Sequence, residues 1–75
     1  MKRINIEKTG ETIRRLRKER GVKINKIQAA MGFSTPQAIF KWERGICLPK
    51  LENIVILADI LGVDKIEDIL CVEDI

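Results

Sequence analysis

The amino-acid sequence predicts an all-α fold, a compact domain of five short helices. Three observations lead there. Apolar residues recur every three and four positions, as they do on one face of a helix, and Gly or Pro interrupts the recurrence at short intervals. Runs of alternating β-branched residues are missing, so strands are not expected. With 75 residues, the chain has room for one thin core, because a domain of this size buries only about 60% of its unfolded surface. A single domain over residues 1–75 is therefore expected. Its core spans residues 9–70, flanked by a short N-terminal arm and an acidic C-terminal tail.

The first helix is expected from Gly10 to Arg20, with Thr9 accepting an early backbone N–H and Gly21 ending it in the left-handed conformation. Ile13 and Leu16 form its buried line, while Arg14, Arg15 and Lys18 point outward. The second helix runs from Ile24 to Met31, with Ile27, Ala30 and Met31 inward and Gly32 after it. The third begins near Pro36 and ends around Arg44, where Gly45 takes over. Proline suits the first helical position and disfavours helical geometry in the residue before it, which makes Thr35 the expected N-cap. The fourth runs from Leu51 to Leu61, with Pro49 just upstream and Gly62 closing it. Asp64 and Glu67 have the spacing of a capping box, so a fifth helix is expected from Asp64, carrying Ile66, Ile69 and Leu70.

Composition narrows the chemistry. Hydrophobic residues are 45% and charged residues 33%, a globular balance. No apolar run approaches the roughly 20 residues needed to cross a bilayer. The opening MKRINIEKTG has no apolar signal core, so a cytoplasmic location is expected. Histidine is absent, which removes His-dependent catalytic triads. Cys47 and Cys71 lie far apart without a neighbouring ligand, so no metal site and no cofactor are expected. Reduced thiols are expected, with Cys47 half-buried beside Leu48. The acidic residues of the last third sit on a solvated face without a pocket, so the chain is not expected to be an enzyme, and no small-molecule effector site is evident.

Charge is unevenly distributed. Residues 1–44 hold twelve Lys/Arg against four Asp/Glu, whereas residues 45–75 hold two against seven. A basic half of this kind favours a polyanion, either nucleic acid or an anionic membrane, although an unevenly charged solvated surface gives the same count. A membrane-surface role fits poorly, because the basic residues are not backed by an amphipathic face free of the core.

The third helix separates two jobs. Ile39 and Trp42 share one side with Ala38 and form a core face. Gln37 and Lys41, four apart, lie on the opposite side with Arg44 and Phe40 flanking them. An amide, an ammonium and a guanidinium in one row suit base edges and phosphates: Gln pairs bidentately with adenine, Lys with guanine, and Arg clamps a phosphate. A solvated polar face has a similar composition. The row's position distinguishes it, on a second helix reached from a short first one through a tight Gly-containing connection, which is the geometry of a helix-turn-helix.

Over residues 13–63, IRRLRKERGVKINKIQAAMGFSTPQAIFKWERGICLPKLENIVILADILGV, the chain resembles the lambda-repressor/Cro-like (XRE-type) helix-turn-helix regulators. Its most specific pieces are L-R-x-x-R-G ending the first helix, W-E-R-G ending the third and L-P-x-L-E-N-I opening the fourth. The resemblance implies a five-helix DNA-binding domain whose third helix enters the major groove. It makes Thr35, Gln37, Ala38 and Lys41 the base-facing residues. Lys23, Asn25 and Lys26 at the start of the second helix, together with Arg44, would then hold phosphates. Double-stranded DNA is the implied partner and transcriptional regulation, with repression by occupancy, the implied role.

Three features depart from the family pattern. The interval Gly32 to Gly45 is one residue longer than usual, so the turn through Phe33 and Ser34 must bulge. The second helix opens on Lys23-Ile24 in place of a hydroxyl cap followed by glutamine, leaving Lys23, Lys26 and backbone N–H groups to meet phosphate. Phe40 takes an outward slot, either to touch a thymine methyl or to pack along the helix flank.

The resemblance also implies a pair, Arg17 with Glu43, bridging the first and third helices. Helical wheels agree, since each lies about 40° from a core position, Ile13 and Ile39 respectively. On the fourth helix, Leu51, Ile54, Val55, Leu57, Ala58 and Leu61 are expected inward, with Ile56 and Ile60 projecting from the other side. Either the segment Ile69–Ile75 or a second copy of the chain would cover that pair, and similar repressors dimerise near their last helices. A homodimer, at least on DNA, is expected. An antitoxin or protein-interaction adaptor on the same fold, with DNA binding secondary, is the alternative reading.

Overall fold

In a computed structural model describing all residues from Met1 to Ile75, the chain runs through a short strand β1 (Lys2–Ile4) and four helices, α1 (Ile6–Glu19), α2 (Ile24–Met31), α3 (Gln37–Glu43) and α4 (Leu51–Leu61). A single 3₁₀ turn (Ile66–Asp68) and a second short strand, β2 (Val72–Asp74), complete it. The all-α expectation needs two corrections: there are four α-helices rather than five, and the chain ends pair as a two-stranded sheet.

That ribbon is antiparallel, with Lys2 opposite Asp74, Arg3 opposite Glu73 and Ile4 opposite Val72. Side-chain charges match across it, Lys2 to Asp74 at 3.1 Å and Arg3 to Glu73 at 2.7 Å. Strands were not expected because each is three residues long, too short to show a period of two, and the pairing joins opposite ends of the chain. The residues read as an arm and a tail are therefore held together.

α1 starts four residues earlier than expected. Asn5 is its cap, its side-chain Oδ1 accepting the Lys8 N–H at 2.8 Å. Thr9 is instead fully buried inside the helix, where its Oγ1 accepts the Cys71 N–H at 3.0 Å and pins the C-terminal segment. α2 and α4 have the expected bounds, and both end on glycine in the left-handed region, Gly32 at φ 73° and Gly62 at φ 71°. The expected capping box does not form. Lys65 is extended immediately before the 3₁₀ turn, and no side chain caps it. Ile69 nevertheless reaches the core and is fully buried.

The core is one cluster. Ile13 and Leu16 of α1, Val22, Ile27 of α2, Ile39 and Trp42 of α3, and Leu57, Ala58 and Leu61 of α4 meet Ile69. Full burial of such a side chain contributes about 1.5–3 kcal/mol, so this cluster supplies the main drive to fold. Two assignments of facing are corrected. Ala30 is exposed, because α2 is short and only Ile27 on it is fully covered. On α4, Leu51 and Val55 are exposed rather than inward, at 66% and 55%. Ile60 packs against the core and Ile56 is half-buried, so neither projects freely. The stripe that faces inward is Ile54, Leu57, Ala58 and Leu61, the expected face narrowed by the loss of Leu51 and Val55.

Candidate nucleic-acid interface

Three close contacts fix α3 against α1. Gly10, inside α1, lies so near the end of α3 that a Cβ there would overlap the Trp42 carbonyl oxygen and stand 2.9 Å from that of Glu43. Gly45, just beyond α3 at φ 72°, meets the backbone of Glu7, one turn before Gly10 on α1. Two turns further along α1, the Arg17 guanidinium donates from Nε to Glu43 Oε2 at 2.7 Å and from Nη2 to Oε1 at 3.2 Å. Its Nη1 also donates to the Val22 carbonyl at 3.4 Å. The two side chains are only 14% and 6% exposed, so the fork-to-fork pair is largely shielded from water.

The connection from α2 to α3 is built from both sides. Gly32 reverses the chain, the Phe33 N–H donates to the Gln28 carbonyl at 3.1 Å, and Gln28 Nε2 donates back to the Phe33 carbonyl at 3.3 Å. Phe33 then meets Trp42 edge-on, ring centroids 5.8 Å apart. α3 begins at Gln37 with Pro36 at the cap position and no side-chain cap, so Thr35 does not serve as one. The first helical bond runs from the Phe40 N–H to the Pro36 carbonyl at 3.2 Å.

α3 has two faces as a result. Ile39 and Trp42 are buried at 0% and 4% exposed, while Gln37 and Lys41 are exposed, as are Thr35 and Arg44. Ala38 lies between, half-buried and packed against the core. Lys23, Asn25 and Lys26 are exposed at the start of α2, whose cap position, Lys23, makes no side-chain bond to the helix. The leading N–H groups of a helix lack intrahelical acceptors and attract anions, so three polar side chains surround a donor-rich end. The chain's ion pairs join Lys2–Asp74, Arg3–Glu73, Arg15–Glu19 and Arg17–Glu43, which leaves Lys23, Lys26, Lys41 and Arg44 outside any of them.

Sequence reasoning missed several residues. Gly10 and Asn5 set how α1 meets α3 and where α1 begins, and a glycine inside an otherwise regular helical pattern was the available signal for the first. Thr9 was assigned as a cap and is instead a buried anchor. Cys47 is exposed rather than half-buried, and Cys71 is half-buried with its Sγ 3.3 Å from Thr12 Oγ1. No helix is long and apolar enough to cross a membrane.

Two short helices joined through a left-handed glycine, with the second anchored from behind and polar in front, define a helix-turn-helix protein. A family model described as helix-turn-helix matches residues 13–67, well over half of the chain. The chain belongs to that family, the XRE/lambda-repressor-like helix-turn-helix proteins, a family of DNA-binding regulators. Neither the curated proteins nor the solved structures gave a match to it.

Proposed function

We propose that the protein is a sequence-specific transcriptional regulator that represses by occupying its operator, with α3 in the major groove. One observation carries this: Gln37 and Lys41 stand exposed on a helix whose Ile39 and Trp42 are buried. Gln37 is suited to adenine and Lys41 to guanine, while Thr35 just before the ridge and the half-buried Ala38 at its inner edge are suited to thymine methyls. Lys23, Asn25, Lys26 and the open end of α2 take phosphates on one side, and Arg44 does so on the other. Neutralising these phosphates releases counterions and supplies most of the affinity, while the ridge supplies the choice of sequence.

A homodimer on DNA belongs to the same proposal. It sets two recognition helices about 34–36 Å apart, one turn of the duplex. The apolar surface available for it on α4 is Leu51 and Val55. Selection of bound sequences from a random DNA pool tests function and assembly together, and a two-fold-symmetric site is the expected outcome. A salt titration on random duplex DNA gives the opposing result a clear form. Absence of binding even at low salt removes the regulator reading and favours the adaptor, for which the exposed Ile46, at 61%, adds apolar surface five residues before Leu51.

A further inference from the structure

A cleft of about 310 Å³ lies between α1 and α3, lined by Arg14, Arg17, Phe40, Glu43 and Arg44. Its charges are not balanced. Glu43, the single acid in the lining, has both carboxylate oxygens bonded to Arg17, whose charge it balances and whose Nη1 also donates to the Val22 carbonyl. Arg14 on one wall and Arg44 on the other are exposed and belong to no ion pair, so the cleft carries two uncompensated guanidinium groups. Phe40 supports one of them, the Arg44 guanidinium carbon lying 6.0 Å from the centre of its ring. That contact, at the outer limit of a cation–π approach, gives the outward Phe40 a task apart from touching bases or padding the helix.

We propose that Arg14 and Arg44 grip one phosphate of the DNA backbone between them, making α1 part of the nucleic-acid interface. The proposal rests on the DNA-binding reading above and extends it to a helix that the ridge itself does not include. The chemistry selects a phosphate. Guanidinium groups present planar forks of N–H donors that match phosphate oxygens, and two forks from opposite walls satisfy more of a single tetrahedral anion than either alone. Placement agrees: Gln37, Lys41 and Arg44 follow one another at intervals of four and three along α3, so the cleft opens at the end of the base-facing ridge. The Arg17–Glu43 pair forms a rigid, neutral floor, which keeps the acid from repelling the anion.

Fluorescence anisotropy on a random-sequence duplex, across a salt series, tests the clamp with Arg14→Gln, Arg44→Gln and the double variant. Arg15→Gln removes an equal charge from α1 outside the cleft and is the control. Each cleft substitution is expected to weaken binding about tenfold, the control much less, and the double variant little more than either single one, because both groups hold the same phosphate. Thermal melting is expected to be unchanged for Arg14→Gln, whose side chain has no partner to lose. Equal effects of Arg14→Gln and Arg15→Gln overturn the clamp, and so do losses that multiply in the double variant, which mark two separate contacts. Either of those results leaves the regulator reading intact, whereas wild-type protein that fails to bind DNA at low salt removes both.

Discussion

At Gly10 the backbone of α3 occupies the space a side chain would need. The obstructing atoms are carbonyl oxygens of Trp42 and Glu43 rather than the ends of flexible side chains, so they have little freedom to yield. Gly10→Ala should therefore cost about 1–3 kcal/mol as forced overpacking, despite alanine's better helix propensity. Urea unfolding of both proteins measures it, and a gain in stability would show that the helices separate freely. The neighbouring Arg17–Glu43 pair is largely shielded, so removing one partner leaves a poorly solvated charge without its bidentate partner. Arg17→Ala or Glu43→Ala should cost about 3–5 kcal/mol, and exchanging both for apolar residues of similar volume should recover most of that. A double-mutant cycle on denaturation gives the coupling. In DNA recognition, Gln37→Ala should lose about 1–3 kcal/mol of discrimination at one base position. Arg44→Ala should instead weaken binding to every sequence and lower the salt dependence, which titrations on specific and random duplexes distinguish.

Among the elements, the β1–β2 ribbon was the least legible in the sequence. α2 and α4 were read with their observed bounds because each carries apolar residues at helical spacing and stops at a glycine, Gly32 or Gly62, that takes a positive φ. The ribbon leaves no comparable mark, since Lys-Arg-Ile and Val-Glu-Asp acquire their conformation only by meeting. Asn5 links the two, capping α1 with Oδ1 while its Nδ2 donates to Glu73 Oε2 at 3.1 Å. That hydrogen bond, then the one from Arg3, holds the Glu73 carboxyl below its ordinary value of 4.5. A carboxylate with a lowered folded value stabilises the ribbon above the ordinary value, and its contribution disappears as pH falls from about 4.5 through the folded one. The protection factor of the Asn5 amide, taken against its intrinsic exchange rate at each pH, should fall over that interval, and Glu73→Gln should remove the step. Of the candidate interface, the Gln37–Lys41 ridge was readable from helical periodicity alone. The contribution of Gly10 was not, because it depends on how closely a second helix approaches.

For the molecule as a whole, the segregation of charge favours one approach to a polyanion, with the basic α1–α3 half leading and the acidic α4 to β2 half trailing. Association with DNA should accordingly slow steeply as salt rises, which stopped-flow measurement reads as a falling on-rate. The exposed Leu51 and Val55 carry the assembly prediction. Val55→Glu should reduce binding to a symmetric site far more than to a half-site, and sedimentation of the complexes should show one copy where the wild type shows two. The ribbon has a separate topological consequence. Because the Ile75 N–H donates to the Met1 carbonyl at 2.9 Å, the first and last residues are already neighbours, and a few added residues would close the backbone into a ring without moving a helix. Such a cyclic chain has fewer extended states to lose on folding, and it could be cut open at the Gly21 turn to give a permuted order of helices around an undisturbed recognition surface.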